Sequence, residues 1–276
     1  MKRTLTICLI FVAVVVFILM IALDSRLKFV NYEIKTDKIS GEVRLALITD
    51  LHNCIYGENQ AKLIEAIEKE NPDIVLLGGD IFDNVYINDN SRLLIDSIAG
   101  KYKTYYVSGN HEWWGKETYK HFKYLESAGV TILRGDTDML KIRDNTITVS
   151  GIDDPEVDVY DSYTPFSEQL DNAGNSINDE HYNILLSHRP ELAENYFNYD
   201  FDLVLSGHAH GGQFRIPLVM NGFFAPNQGF LPKLAGGEYD FGNSKMIVSR
   251  GLAKENINLP RIFNRPELVF VTLARE

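Results

Sequence analysis

Cysteine is nearly missing from this chain: of 276 residues, only Cys8 and Cys54 carry thiols. Cys8 sits inside an apolar run, so no disulfide framework is indicated. That poverty leaves the compartment open. Positive charge is also in short supply, with 27 Lys and Arg against 38 Asp and Glu and a net charge of -11. Proteins that grip nucleic acid non-specifically must neutralise phosphates with Lys and Arg, and no basic stripe is present to do it. A nuclease is therefore disfavoured, and no nucleic-acid partner is expected. Internal repeats and low-complexity segments are absent too. What remains is the composition of an ordinary globular protein, 45% hydrophobic and 24% charged, enough for a full-sized core. The length allows one large domain or two small ones.

The N-terminus differs from the rest. Lys2 and Arg3 precede an uncharged, almost wholly apolar run at 4–23, about the 20 residues that cross a bilayer. A secretory signal peptide shares the basic start and apolar middle. The run is longer than a usual signal core, however, and Ile21-Ala22-Leu23-Asp24 is a poor cleavage site. The expectation is a retained single-pass anchor in the cell membrane, with 1–3 as a short cytoplasmic tail. Residues 24–41 read as a polar connector holding at most one strand at 29–34, and 42–276 as the folded domain. Lys2-Arg3 favours a cytoplasmic N-terminus and an extracytoplasmic domain, although Arg26 and Lys28 weaken that bias.

Within the domain, apolar runs at 43–49, 74–79 and 104–107 read as strands, alternating with helical spacing at 59–70, 93–99 and 119–128. Asn71-Pro72 and Gly129 mark helix ends. Short runs at 130–133, 139–142 and 147–151 read as antiparallel strands. Further strands are expected at 182–186, 203–205, 245–249 and 268–273, with short helices near 166–172 and 191–196. Alternating strands and helices followed by antiparallel strands give an α/β domain.

Chemistry gathers where the strands stop. The runs end at Asp50 and His52, at Asp80, at Asn110 and His111, at His188, and at His208 and His210. Ligands of open α/β sheets collect beyond the carboxyl ends of the strands, so residues 160 positions apart in this sequence can converge. Imidazoles and carboxylates in that number exceed what one ion needs. Two ions about 3.5–4 Å apart and sharing a carboxylate would use them, and such pairs serve in-line displacement at phosphorus. Asp80, alone behind Gly78-Gly79, is the natural bridge.

Asp50-x-His52, Gly78-Gly79-Asp80-x-x-Asp83, Gly109-Asn110-His111-Glu112, His188 and Gly207-His208-x-His210 together resemble the calcineurin-like metallophosphoesterase signature. The N-terminal anchor, Gly207 to Gln213 and the stretch Arg261 to Glu267 resemble its membrane-anchored YkuE/YaeI-like branch. The resemblance implies a four-layered α/β-β/α sandwich of two mixed sheets flanked by helices, and two divalent or trivalent ions (Mn, Fe or Zn). It places Asp50, His52 and His210 on one ion, Asn110, His188 and His208 on the other, and Asp80 between them. His111 becomes the non-ligand catalytic histidine, with Asp83 as its orienting carboxylate. The implied activity is hydrolysis of a phosphoester or pyrophosphate bond by metal-activated hydroxide. The anchor favours a lipid-linked or envelope substrate, of which a UDP-acylated-glucosamine pyrophosphate is one example among relatives. The alternatives are a broad phosphatase of small phosphates and a non-catalytic metal-binding scaffold.

Other features admit plainer readings. Trp113 and Trp114 would wall the substrate or lie in the core. Arg189 would pair with a substrate phosphate bidentately or with an internal carboxylate. Asp153, Asp154, Glu156, Asp158 and Asp161 read as a solvated acidic loop, and His121 and His181 as surface residues. The stretch 220–234 is apolar but broken by Pro and Gly. It reads as a loop folded on the core, or as an apolar lip that meets the bilayer or an acyl chain.

Overall fold

Buried aliphatic strands alternating with one-sided helices set the architecture of the computed structural model, which describes every residue except Met1, Tyr86, Lys116, Ser162, Ile257 and Asn258. The first half runs α1 (Lys2–Ala22), β1 (Lys28–Thr36), β2 (Glu42–Ile48), α2 (Ala61–Glu70), β3 (Ile74–Gly78), α3 (Asp89–Ile98), β4 (Lys103–Val107), α4 (Asn110–Trp114), α5 (Thr118–Ser127) and β5 (Thr131–Ile132). There follow β6 (Thr137–Ile142), β7 (Asn145–Gly151), α6 (Val157–Tyr160), α7 (Phe166–Asn175), β8 (Tyr182–Leu186), α8 (Ala193–Tyr196) and β9 (Leu203–Ser206). The last part holds β10 (Phe224–Ala225), β11 (Gly229–Phe230), β12 (Gly237–Phe241), β13 (Ser244–Val248), β14 (Glu255–Asn256), β15 (Leu259–Pro260) and β16 (Glu267–Arg275).

Two six-stranded sheets result, ordered β1-β16-β2-β3-β4-β5 and β12-β13-β9-β8-β7-β6. Both are mixed. β2, β3, β4 and β5 pair in parallel, while β16 runs antiparallel to β2 and parallel to β1. In the second sheet β13, β9, β8 and β7 are parallel and the two edges antiparallel. Alternate residues of each strand point to opposite faces, and the cores obey that rule. Leu45, Leu47, Leu76, Tyr105 and Val107 meet Val149, Ile184, Leu186, Leu205 and Ile247 between the sheets. Ala46, Val75, Leu77 and Tyr106 face α2, α3 and α5 through Leu63, Ile67, Leu94, Ile95 and Leu125. Leu185, Val204 and Met246 face α7 and α8 through Leu170, Ala173 and Tyr196. This is the four-layered sandwich expected from the resemblance.

Two expectations need correction. The run at 130–133 is not part of an antiparallel set; β5 closes the first sheet in parallel with β4, because α5 returns the chain over one face of that sheet. The stretch 24–41 is more than a connector. Its residues 28–36 form a full edge strand, β1, paired along nine positions with β16.

α1 stands apart from these layers. Arg3–Ala22 has a mean hydropathy of 3.3 and is long enough, at about 1.5 Å per residue, to cross the apolar part of a bilayer. Its side chains are exposed until Ala22, which is buried against the domain.

Candidate metal centre

The carboxyl ends of β2, β3 and β4 in one sheet and of β8 and β9 in the other open onto one crevice. Tight turns there hold residues in left-handed backbone conformations that L side chains rarely adopt. Asp50 (φ 50°), His52 (φ 44°), Asp80 (φ 51°), His208 (φ 64°) and His210 (φ 46°) all lie in that region. Such strain persists where surrounding structure enforces it, and it clusters at functional sites. The glycines between them leave space that the site fills. A Cβ on Gly109 would stand 2.3 Å from Asp80 Oδ1, and one on Gly207 2.5 Å from Asp50 Oδ2.

The predicted ligands converge. Donor atoms of Asp50, His52, Asp80 and His210 lie within 4.8 Å of one another, and those of Asp80, His188 and His208 form a second such group. Asp80 belongs to both. Its Oδ2 is 3.5 Å from His52 Nε2 and 3.2 Å from His188 Nε2, while His210 Nε2 is 3.6 Å from Asp50 Oδ1. Oδ1 of Asp80 accepts the His111 N–H at 2.8 Å, and the Asp50 carboxylate accepts the His208 N–H at 3.0 Å.

Buried polar groups almost always find partners. Here His52 Nε2, Asp80 Oδ2, Asn110 Oδ1, His188 Nε2, His208 Nδ1 and His210 Nδ1 are buried without one among the described residues. For three imidazoles the opposite nitrogen is pinned. His188 Nδ1 donates to the Gly78 carbonyl at 2.8 Å, His52 Nδ1 faces Asp83 Oδ2 at 3.4 Å, and His208 Nε2 lies 2.9 Å from Asn227 Oδ1 and 3.1 Å from Arg189 Nη1. For His188 and His52 the outer contact fixes a tautomer that turns a bare lone pair inward, and for His208 it holds the ring in place, the arrangement that metal-ligating histidines show. Neutral imidazoles, carboxylates and an amide oxygen suit Mn, Fe or Zn.

Without cations the charges press on each other. Burial, reinforced by Asp80, pushes the Asp50 carboxyl up. Burial acts on Asp80 likewise, but His188 and His52 outweigh it and hold that carboxyl well below its ordinary range. Burial opposes charge on His188, yet Asp80 raises it to about 10. One crevice thus holds two buried carboxylates of opposite tendency, as sites sharing a charge do.

The remaining site residues divide. His111 lies at the mouth, its ring 4.4 Å from that of His52 and 4.9 Å from that of Trp114. Its Nδ1 donates to Asn84 Oδ1 at 2.9 Å. Asp83 turns its carboxylate to His52 Nδ1, and donor atoms of His52, Asp83 and His111 all lie within 4.8 Å of one another, so Asp83 stands beside both rings. Trp114 is exposed beside His111, whereas Trp113 is buried and donates its indole N–H to Ser108 Oγ at 2.8 Å. The substrate-wall expectation fits Trp114 alone. Arg189 is fixed internally, forking onto Asp154 at 2.5 and 2.9 Å and reaching Asn227 Oδ1 at 2.6 Å. A phosphate would have to displace those partners, so Arg189 is a support of the His208–Asn227 contact.

Asp153 and Asp154 are fully buried rather than solvated, and Asp153 pairs with Arg134 at 2.7 Å. His121 is buried too, stacked on Phe82 at 4.1 Å. Sequence reasoning also missed Glu112. Its buried carboxylate accepts the N–H groups of Asp80, Ile81, Phe82 and Gly109 at 2.8–3.0 Å, locking the β3 and β4 turns together. The signal was its place in the Gly109-Asn110-His111-Glu112 block, in which the sequence reading gives Glu112 no role.

The comparisons agree with this geometry. The calcineurin-like phosphoesterase family model matches residues 43–212. An uncharacterized metallophosphoesterase of Aquifex aeolicus is 28% identical over 90% of this chain and 92% of its own length. YkuE of Bacillus subtilis, also an uncharacterized metallophosphoesterase, is 27% identical over 83% of this chain and 78% of its own. A Danio rerio transmembrane protein with a metallophosphoesterase domain is 27% identical over 90% of this chain and 57% of its own. Among solved structures, the NAD nucleotidase of Haemophilus influenzae shares the fold, with a TM-score of 0.54 at 16% identity over 76% of this chain and 45% of that one. The chain belongs to the calcineurin-like phosphoesterase family and is a metal-dependent phosphoester hydrolase.

Proposed function

We propose that the crevice holds two metal ions and hydrolyses a phosphate ester or pyrophosphate of a lipid-linked or envelope compound at the membrane surface. The observation that carries this reading is the set of buried donor atoms without a hydrogen bond, most of them in the two candidate groups that share Asp80. Asp50, His52 and His210 would hold one ion, Asn110, His188 and His208 the other, with Asp80 between. When bound, such ions supply Lewis acidity toward phosphoryl oxygens and a nucleophilic water near neutral pH.

The chain's own residues do the rest. Asp83 sets the His52 tautomer, Asn227 and Arg189 hold the outer nitrogen of His208, and Glu112 sets the Asp80 turn. His111 has its Nδ1–H on Asn84. Nε2 therefore gives a proton to the leaving oxygen, or holds a phosphoryl oxygen, only as the imidazolium, which takes its proton from water. Burial opposes that charge while Asp80 supports it. Trp114 offers an apolar wall beside it. A histidine so presented is of no use to a scaffold, which favours the enzyme over a non-catalytic module. α1 supports membrane confinement, as does the transmembrane relative; the basic Lys2-Arg3 favours an extracytoplasmic domain.

The test is metal-stripped full-length protein in detergent, assayed with aryl phosphomonoesters, phosphodiesters and a long-chain alkyl pyrophosphate after adding Mn, Zn or Fe. Activity should return with metal and vanish in Asp80→Asn. In His111→Ala, kcat should fall about 10²–10⁴-fold with two ions still bound. Turnover that survives metal removal, or that Asp80→Asn leaves intact, would sink the reading.

A further inference from the structure

We infer that the loop from Ile216 to Leu231 is a membrane-docking lip, which seats its apolar side chains in the bilayer surface beside the anchor and so turns the metal crevice toward lipid. This rests on the proposed reading of α1 as a spanning helix and of the crevice as a phosphoesterase centre.

From Ile216 to Pro232 no residue carries a charge, while Arg215 and Lys233 bracket the stretch. Hydrophobic side chains on a soluble surface normally fold inward, and a contiguous exposed patch marks an interaction site. Here Leu218 and Val219 protrude almost fully, and Phe230 and Leu231 are about two-thirds exposed, at 70% and 65%. Phe223 and Phe224 flank Phe230 with ring centroids 5.3 and 5.4 Å away. Aromatic and aliphatic residues rimmed by cations are the composition of an interfacial element.

Position selects the occupant. The Ala22 carbonyl at the end of α1 accepts the N–H of Phe263 at 2.7 Å. Arg265 ties to the same junction through the carbonyls of Arg26 and Leu27, at 2.8 and 2.9 Å. The neighbouring Ile262 pairs with Phe214, its carbonyl accepting the Arg215 N–H at 3.0 Å. The root of the lip is therefore two hydrogen-bonded backbone steps, Arg215 to Ile262 and Phe263 to Ala22, from the point where the apolar helix enters the domain. Each step is about 5 Å and each extended residue adds about 3.3 Å, so Leu218 lies within roughly 25 Å of the helix end. A second copy of the chain would satisfy the apolar side chains but has no reason to meet them beside a membrane anchor.

The other end of the lip reaches the chemistry. Phe223 N–H donates to the Gly212 carbonyl at 2.8 Å, and a Cβ on Gly212 would stand 2.4 Å from Gly222 Cα. Asn227, in the middle of the loop, contacts His208 Nε2 and Arg189. One short loop thus joins the bilayer side to a candidate ligand, and a phosphate held at lipid headgroup depth would sit within its reach.

The test uses full-length protein in phosphatidylcholine–phosphatidylglycerol vesicles, with both native cysteines replaced (Cys8→Ser, Cys54→Ala). Single nitroxide labels are placed at Leu218→Cys, Phe230→Cys and, at the β6–β7 turn on the opposite end of the second sheet, Asp144→Cys. Labels at 218 and 230 should collide more with lipid-soluble oxygen than with a water-soluble nickel chelate, and the label at 144 the reverse. Equal water access at all three positions, in protein that still hydrolyses an aryl phosphate, would overturn the lip. Spin–spin broadening at 218 and 230 that persists in detergent would overturn it in favour of a second copy. Lipid-shielded labels without any metal-dependent hydrolysis would instead spare the lip and remove the phosphoesterase reading. Leu218→Asp with Phe230→Asp should lower the ratio of turnover on a bilayer-embedded alkyl phosphate to turnover on a soluble aryl phosphate several-fold.

Discussion

Glu112 has one carboxylate and four N–H groups to satisfy, two on each oxygen. Burial and the Asp80 charge push its carboxyl up to about 7, while those N–H groups favour the charged form. Glu112→Gln keeps the shape but offers a single acceptor oxygen. Two backbone N–H groups would then face an NH2, at a cost of about 1–3 kcal/mol each. Denaturant titration should show that loss, together with weaker metal binding, because the Asp80 turn shifts. Unchanged midpoint and affinity would mean the clamp is idle. His121 gives a pH prediction. Burial against Phe82 lowers its imidazole to about 4, whereas in the unfolded chain it takes a proton near its ordinary value of 6.5. Between those values the unfolded state binds the extra proton, so stability is fully present above 6.5 and declines as pH falls toward 4. The drop in melting temperature from pH 7 to pH 5 should shrink in His121→Phe. An equal drop in both proteins would remove His121 as a cause.

At the scale of elements, two strand ends approach so closely that a side chain has no room. Gly109, after β4, lies against Asp80, after β3; a Cβ there would be 2.3 Å from Oδ1 and 2.5 Å from the backbone nitrogen. Gly109→Ala must displace Asp80, and losses of about 10–100-fold in metal affinity follow such changes behind a ligand. Calorimetric titration would read it, and near-wild-type affinity would show that the β3 turn is softer than its contacts imply. The same strand ends explain what was legible. Apolar runs that stop at Asp50, Asp80, Asn110, His188 and His208 announce both the strand and the residue it delivers. Buried charge announces nothing. Asp153 and Asp154 read as solvated, and Arg189 reads equally as facing a phosphate or an internal carboxylate, because their partners come from other elements, Arg134 among them. Trp113 and Trp114 are neighbours in sequence with opposite environments, and only the turn of α4 decides which one is buried. β1 escaped full notice because its alternating, half-exposed pattern is that of an edge, not of a core strand.

For the molecule as a whole, the candidate metal centre is the seam between two sheets. Residues after β2, β3 and β4 face residues after β8 and β9 across it. Asp50 and Asp80, both fully buried, repel each other there while the unpartnered imidazole nitrogens find no hydrogen bond. The apo protein should therefore be weakest at this seam. Ions that bind the folded chain and not the unfolded one add about 2.7 kcal/mol per site at a free concentration roughly one hundred times Kd. For a domain of this size that is about 5–10 °C per site. Scanning calorimetry of stripped and Mn-loaded full-length protein should show such a rise. In Asp80→Asn, where the carboxylate common to both groups is gone, most of it should disappear. In His111→Ala the rise should persist, since His111 is outside the ligand set. A rise of equal size in Asp80→Asn would mean that the ions stabilise the protein elsewhere, and the two sheets would then need another explanation for the bare donors they bring face to face.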